Sequence, residues 1–182
     1  GKLVIGSGYL TAFSDGCTVK IHGKAAHSST PEEGVDAIGI AAAIVTALNS
    51  VAARNISPME NSTLNVGKIA GGSAPNIIAS ECELSIMMRN ITPEARAVMM
   101  EKIKSLSTGI AEAMGGSCEI SFRQGYPSVY NDPEFTAFVT DMVENHREVL
   151  YDGIVEIPEH YLLTGSQARL IAEDFGFYSR QV

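Results

Sequence analysis

Three polar residues stand where their surroundings would let them do chemistry. His27 lies in Gly23-Lys24-Ala25-Ala26-His27-Ser28-Ser29-Thr30-Pro31, a run of small residues that lets a backbone come close to a ligand. Asn76 lies in Ser73-Ala74-Pro75-Asn76-Ile77-Ile78, a polar side chain held between a glycine bend and apolar neighbours. Arg89 closes a strand pattern, and a guanidinium there could grip a carboxylate with two parallel hydrogen bonds. Each also has a plain structural alternative, since a loop histidine, a turn asparagine and a strand-end arginine are usually structural or merely solvated.

Other chemistries find less support. A metal site needs several His, Cys, Asp or Glu side chains converging, with short spacing for at least one pair. The four histidines, His22, His27, His146 and His160, share no H-x-H or H-E-x-x-H spacing, and His22 reads as a solvent-facing strand residue. No metal ligand is therefore expected in this chain; Glu159-His160 and Glu173-Asp174 are adjacent pairs of a kind common on surface loops. There is no G-x-S-x-G elbow, nothing in the sequence makes Ser28 or Ser29 a triad partner of His27, and neither phosphate-binding glycine motif occurs.

Composition narrows the partners. Thirteen Lys and Arg against 21 Asp and Glu leave a formal net charge of -8 over 182 residues, which disfavours nucleic acid and anionic membrane surfaces. No apolar run approaches the roughly 20 residues that span a bilayer, so a soluble, cytoplasmic protein is expected. Three widely separated cysteines, Cys17, Cys82 and Cys118, read as buried thiols and not as a disulfide framework. The chain starts at Gly1 and stops at Val182, and it is expected to be part of a longer protein.

These residues need elements to position them. Cys17, Val19 and Ile21 alternate with polar neighbours as in a half-buried strand. A helix follows, with an expected core stripe of Val35, Ile38, Ala42, Val45, Leu48 and Ala52, opened either by Thr30-Pro31-Glu32-Glu33 or at Asp36. A second strand covers about Thr63 to Ile69, and a third runs from Glu81 to Arg89 with Cys82, Leu84, Ile86 and Met88 on one face. Thr92-Pro93-Glu94 opens another helix, with stripe Met99, Ile103, Leu106, Ile110 and Met114 and a stop at Gly115-Gly116. Cys118, Ile120 and Phe122 mark a fourth strand. The order is that of a ferredoxin-like βαββαβ sandwich of the α+β class: a four-stranded antiparallel sheet with two helices on one face. An RNA-binding domain shares this order, but it needs stacking aromatics and a basic face that are absent here. Asp132-Pro133 then caps an amphipathic helix with Phe135, Phe138, Val139, Met142 and Val143 on one stripe, which belongs to something outside the small domain.

At the same residues the sequence resembles a known family. Gly23-Lys24-Ala25-Ala26-His27, with Pro31, Gly34 and Ala37 following, is similar to the G-K-x-x-H-A-x-x-P-x-x-G-x-x-A motif of the M20 metallopeptidases, in their aminoacylase and amidohydrolase branch. Val66-Gly67-Lys68-Ile69-Ala70-Gly71-Gly72-Ser73-Ala74-Pro75-Asn76-Ile77-Ile78 resembles V-G-x-I-x-G-G-x-A-x-N-V-I-P, and Met88-Arg89 matches the arginine of G-T-x-R. Gly125-Tyr126-Pro127 with Asn131-Asp132-Pro133, and Glu173-Asp174-Phe175, resemble the family's later segments, although Ile171-Ala172 and Ile78-Ala79 depart from it.

The resemblance implies a lid or dimerisation domain at 13–125, a remnant of catalytic-domain linker at 1–12, and a partial, incomplete return to the α/β catalytic domain at 126–182. It implies a parent hydrolase that cleaves the amide of N-acyl amino acids or peptide-like substrates. Two divalent metal ions, zinc or manganese, would sit in the parent catalytic domain and none in this chain, which alone would be inactive. His27 would reach into a partner subunit's active site to polarise the carbonyl, Asn76, Arg89 and Gly72 would contact substrate, and Glu173 and Asp174 would stand behind the metal ligands. A homodimer through the lid follows. The rival expectation is a non-catalytic ferredoxin-like dimerisation or ligand-binding module.

Overall fold

The computed structural model describes residues 3–145, 162–164 and 168–180. In chain order its elements are β1 (Leu3–Ile5), β2 (Gly8–Tyr9), β3 (Phe13–His22), β4 (Ala26–His27), α1 (Ala37–Leu48), α2 (Val51–Asn55), β5 (Ser62–Gly71), β6 (Ile77–Ile78), β7 (Glu81–Asn90), α3 (Pro93–Ala113), β8 (Ser117–Gln124), β9 (Tyr130–Asn131), α4 (Pro133–Asn145) and β10 (Leu162–Thr164). Short 3-10 turns lie at Pro31–Glu33 and Asp174–Arg180.

Four of these strands form one sheet in the order β5-β7-β3-β8, with every neighbouring pair antiparallel. The alternation read from the sequence is the alternation of burial. Cys17, Val19 and Ile21 of β3 and Cys82, Leu84, Ile86 and Met88 of β7 all point into the core, and Cys118, Ile120 and Phe122 of β8 pack against it. Helices α1 and α3 cover that face and touch one another. A side chain the size of Leu84 or Met88, fully buried here, contributes about 2 kcal/mol by leaving water. The expected βαββαβ sandwich is therefore the observed one. Burial also pushes the Cys17 thiol up to about 12, which keeps it protonated in the folded protein.

Two helix phases depart from the expected stripes. In α1 the buried residues are Ala37, Ile40, Ala41, Ile44 and Leu48, while Ile38 is 42% exposed and Ala42 is exposed. The helix reads AIGIAAAIVTAL, apolar on every side, so periodicity could not choose the face. Its start is at Asp36, whose carboxylate accepts the Ile38 N–H at 3.0 Å, while Pro31–Glu33 forms a separate turn. In α3, Met99 and Ile103 are buried together with the small residues Ala95, Ser107 and Ala111, and Met114 at the end of the expected stripe is exposed. Its caps follow expectation, with the Thr92 hydroxyl accepting the Ala95 N–H and Gly115 at φ 80°. The second strand is longer than read, Ser62–Gly71, with a register shift between Val66 and Lys68 where Gly67 stands.

The chain enters and leaves this sheet at one end. The Ser14 N–H donates to the Tyr126 carbonyl, the Ala12 N–H to the Ile171 carbonyl, and β2 pairs with β9. Beside that junction Asp15, almost fully buried, receives both Arg96 Nε at 2.7 Å and Arg96 Nη2 at 3.0 Å, and the guanidinium lies 5.3 Å from the centre of the Phe13 ring. Past the junction, α4 buries Val143 and exposes Phe135 and Phe138. Arg96→Met should cost about 3 kcal/mol of stability, because it leaves the Asp15 carboxylate buried without its cation. Urea unfolding checks this, and a loss below about 1 kcal/mol would mean that the Asp15 charge is accommodated without Arg96.

Candidate functional site

His27 owes its position to a two-residue ladder. β4 pairs antiparallel with β6, setting Ala26 opposite Ile78 and His27 opposite Ile77. The ladder is extended on both sides: Lys24 and Val35 exchange backbone hydrogen bonds at 2.9 Å, the Gly23 N–H donates to the Ser80 carbonyl, and the Ser28 N–H donates to the Asn76 carbonyl at 2.9 Å. Asn76 itself lies in a turn closed by the Ile77 N–H on the Ala74 carbonyl. Two loops far apart in sequence, around His27 and around Asn76, are thus zipped together. Both residues are exposed.

The imidazole is held by its own loop. Nδ1 accepts the Ser29 backbone N–H at 3.2 Å and lies 2.7 Å from the Ser29 hydroxyl, and the His27 carbonyl accepts the Thr30 N–H at 2.9 Å. Nε2 has no hydrogen-bond partner among the described residues. Ile77, 36% exposed, stands on the same side of the ribbon as the imidazole, as directly opposed residues of an antiparallel pair do. Gly72 belongs to this end too: its N–H donates to the Glu81 carbonyl, and its φ of +79° is one that L side chains avoid.

Arg89 is at the other end of the sheet. It registers with Ser14 on β3 and Thr63 on β5, on the face turned away from the helices, and its Nη1 is buried with no hydrogen-bond partner among the described residues. From Glu81, beside the His27 ribbon, to Arg89 is eight residues of extended chain, about 26 Å. Glu173 and Asp174 follow Ile171, whose carbonyl holds Ala12, and so lie toward the Arg89 end. There the Glu173 carboxylate accepts the Phe175 N–H at 3.0 Å and starts the Asp174–Arg180 turn.

The predicted residues therefore form two groups. His27, Asn76 and Gly72 come together at the free end of the sheet, and Arg89, Glu173 and Asp174 lie toward the end where the chain enters and leaves. One chain does not bring Asn76 to Arg89. No three His, Cys, Asp or Glu side chains among the described residues are placed to hold a metal ion. His22 is half-buried on the open sheet face, 3.8 Å from Glu119. His146, Glu159 and His160 lie outside the described residues. Ser29 is the contact that sequence reasoning passed over, since only the turn after His27 reveals that a residue two places on meets the ring.

Comparison with known proteins gives this geometry a family. Residues 14–114, more than half of the chain, match the dimerisation domain of the M20 peptidases, and the chain belongs to that family. It is 34% identical over 182 residues to the N-acetyldiaminopimelate deacetylase of Oenococcus oeni, a match taking in 100% of this chain and 44% of that protein. A structure from methicillin-resistant Staphylococcus aureus, assigned as an aminohydrolase, has a TM-score of 0.84 at 28% identity, covering 100% of this chain and 44% of that one. The Bacillus subtilis YXEP protein, a dinuclear metal binding peptidase of the M20 family, shares the fold at TM-score 0.71 and 23% identity, over 98% of this chain and 41% of its own. The chain thus spans less than half the length of each of these proteins. Among the described residues no helix is long and apolar enough to cross a membrane.

Gly72→Ala should lower stability by about 1–2 kcal/mol through its positive φ. An added Cβ would also meet Ile38 Cδ1 at 3.0 Å, so the double variant with Ile38→Ala separates the two causes. If the double variant recovers the loss relative to Ile38→Ala alone, crowding and not backbone conformation is the cost.

Proposed function

We propose that this chain is the lid and dimerisation part of a metal-dependent amidohydrolase that hydrolyses N-acyl amino acids or similar small amides. Residues 13–125 form the lid, 1–12 are a remnant of the linker to the catalytic domain, and 126–182 are a partial return to that domain. The deacetylase relative and the matched dimerisation domain support the reaction class and the homodimer. Two divalent ions, zinc or manganese, are assigned to the catalytic half; the described residues here do not fit a metal centre, and no ligand is taken from them. Three free thiols agree with a cytoplasmic protein.

The observation that carries this reading is the separation of the two groups. A catalytic domain joined where the chain enters and leaves the sheet has Arg89 beside it and His27 on the order of 25 Å away. His27 is then useful only to another active site, that of the second subunit in a symmetric dimer. In this arrangement His27 donates its Nε2–H to the carbonyl oxygen of the scissile amide and stabilises the negative charge that develops there. Asn76 adds an amide beside it, and Gly72 lets backbone approach the substrate. Arg89, contributed by the subunit that holds the catalytic centre, pairs with the substrate carboxylate through its unpartnered Nη1. Glu173 and Asp174 stand near that centre and orient its ligands.

Subunit mixing tests this division of labour in the full-length protein. His27→Ala and Arg89→Ala homodimers should each lose most of their turnover. Refolded together in equal amounts, they should regain about a quarter of wild-type activity, since half of the dimers carry one intact site of two. No recovery in dimers that demonstrably exchange would mean that both residues serve the same subunit. Full activity of the His27→Ala homodimer would favour a non-catalytic lid.

A further inference from the structure

The geometry points to Ser29 as a positioning residue for His27: its hydroxyl and N–H together hold Nδ1 as an acceptor, so that the neutral ring keeps its proton on Nε2 and presents it to the substrate carbonyl. This rests on the role proposed for His27. A backbone N–H can only donate, so the 3.2 Å contact from Ser29 N identifies Nδ1 as the unprotonated nitrogen. In that tautomer the Ser29 hydroxyl, 2.7 Å away, donates to the same lone pair, which the two donors share with the hydroxyl the nearer. A neutral imidazole with Nδ1 unprotonated carries its hydrogen on Nε2, the only ring nitrogen left to act.

The loop around this pair is fixed from both sides. Ser28 is tied to Asn76 across the ribbon, and both the Thr30 N–H and the Thr30 hydroxyl donate to the His27 carbonyl, at 2.9 and 3.3 Å. The turn, anchored through Ser28 to Asn76, therefore delivers Ser29 to the ring. An exposed histidine without such an anchor would divide itself between two tautomers and several ring orientations, and only one combination offers an N–H to a carbonyl oxygen. An electrophile that must donate as charge develops on the substrate gains from having that choice made before substrate binds.

The ring can be observed directly. Long-range proton–nitrogen correlation spectra of the 15N-labelled chain at about pH 8.5, where an imidazole is neutral, report which nitrogen is protonated. His27 is assigned by the signals that His27→Gln removes. The wild type should show the Nε2–H tautomer; Ser29→Ala, which removes the shorter hydroxyl bond and keeps only the longer one from the backbone N–H, should raise the share of the Nδ1–H form, and Ser29→Thr should restore the wild-type ring. In the full-length enzyme Ser29→Ala should lower kcat about tenfold, the worth of one hydrogen bond, with KM little changed, and Ser29→Thr should recover it. A wild-type Nδ1–H ring would overturn the proposal, as would ring signals or a kcat indifferent to Ser29→Ala. Because the spectrum needs no turnover, a His27→Ala enzyme that stays active would remove the catalytic reading and leave the tautomer assignment to stand or fall by itself.

Discussion

The length of the two central strands governs everything else in this chain. β3 and β7 are paired without interruption from Phe13 opposite Asn90 to His22 opposite Glu81, ten residues each. Extended backbone of that length is on the order of 30 Å long and cannot be shortened by repacking side chains. It separates an end that is tethered, where β3 begins and β8 finishes, from an end that is free. A residue's place along these strands therefore decides which surroundings it can serve. Arg89 and the segment after Ile171 lie by the tether, while His27, Asn76 and Gly72 lie at the free end.

The two ends are built differently because they are held differently. At the tether, the Asp15–Arg96 pair, the Phe13 ring and the bond from Ser14 to Tyr126 bind the sheet to what precedes and follows it. At the free end no such anchor exists among the described residues, and a two-residue ladder alone is marginal in water. The ribbon of β4 and β6 persists because its neighbours are pinned to the sandwich: Gly23 to Ser80, Lys24 to Val35, and the Ala37 N–H to the Ala79 carbonyl. The first turn of α1, capped by Asp36, closes this cluster from the other side. An exposed histidine is thereby held on a rigid support, as the role proposed for it requires.

The sandwich was legible in the sequence because each strand buries one face only, so that Cys82, Leu84, Ile86 and Met88 announce both a strand and its orientation. The phase of α1 was not, because Ile38 and Ile40 carry the same chemistry and only the tertiary packing leaves one exposed and the other buried. His27, Asn76 and Arg89 were visible as polar residues in conspicuous settings and through their motifs, but the joining of His27 to Asn76 was not. It depends on the pairing of β4 with β6, two residues against two, which has no periodicity to read. The contact of Ser29 with the ring was hidden for the same reason, since it exists only once the turn is formed.

The most direct measurement is a crystal structure of the full-length dimer with a non-hydrolysable N-acyl amino acid analogue bound. The present reading predicts that the imidazole Nε2 within hydrogen-bond distance of the ligand's carbonyl mimic comes from one subunit, while the Arg89 guanidinium on the same ligand's carboxylate comes from the other. A ligand that met His27 and Arg89 of a single chain would contradict it, because it would require the two ends of a continuous sheet to reach one site.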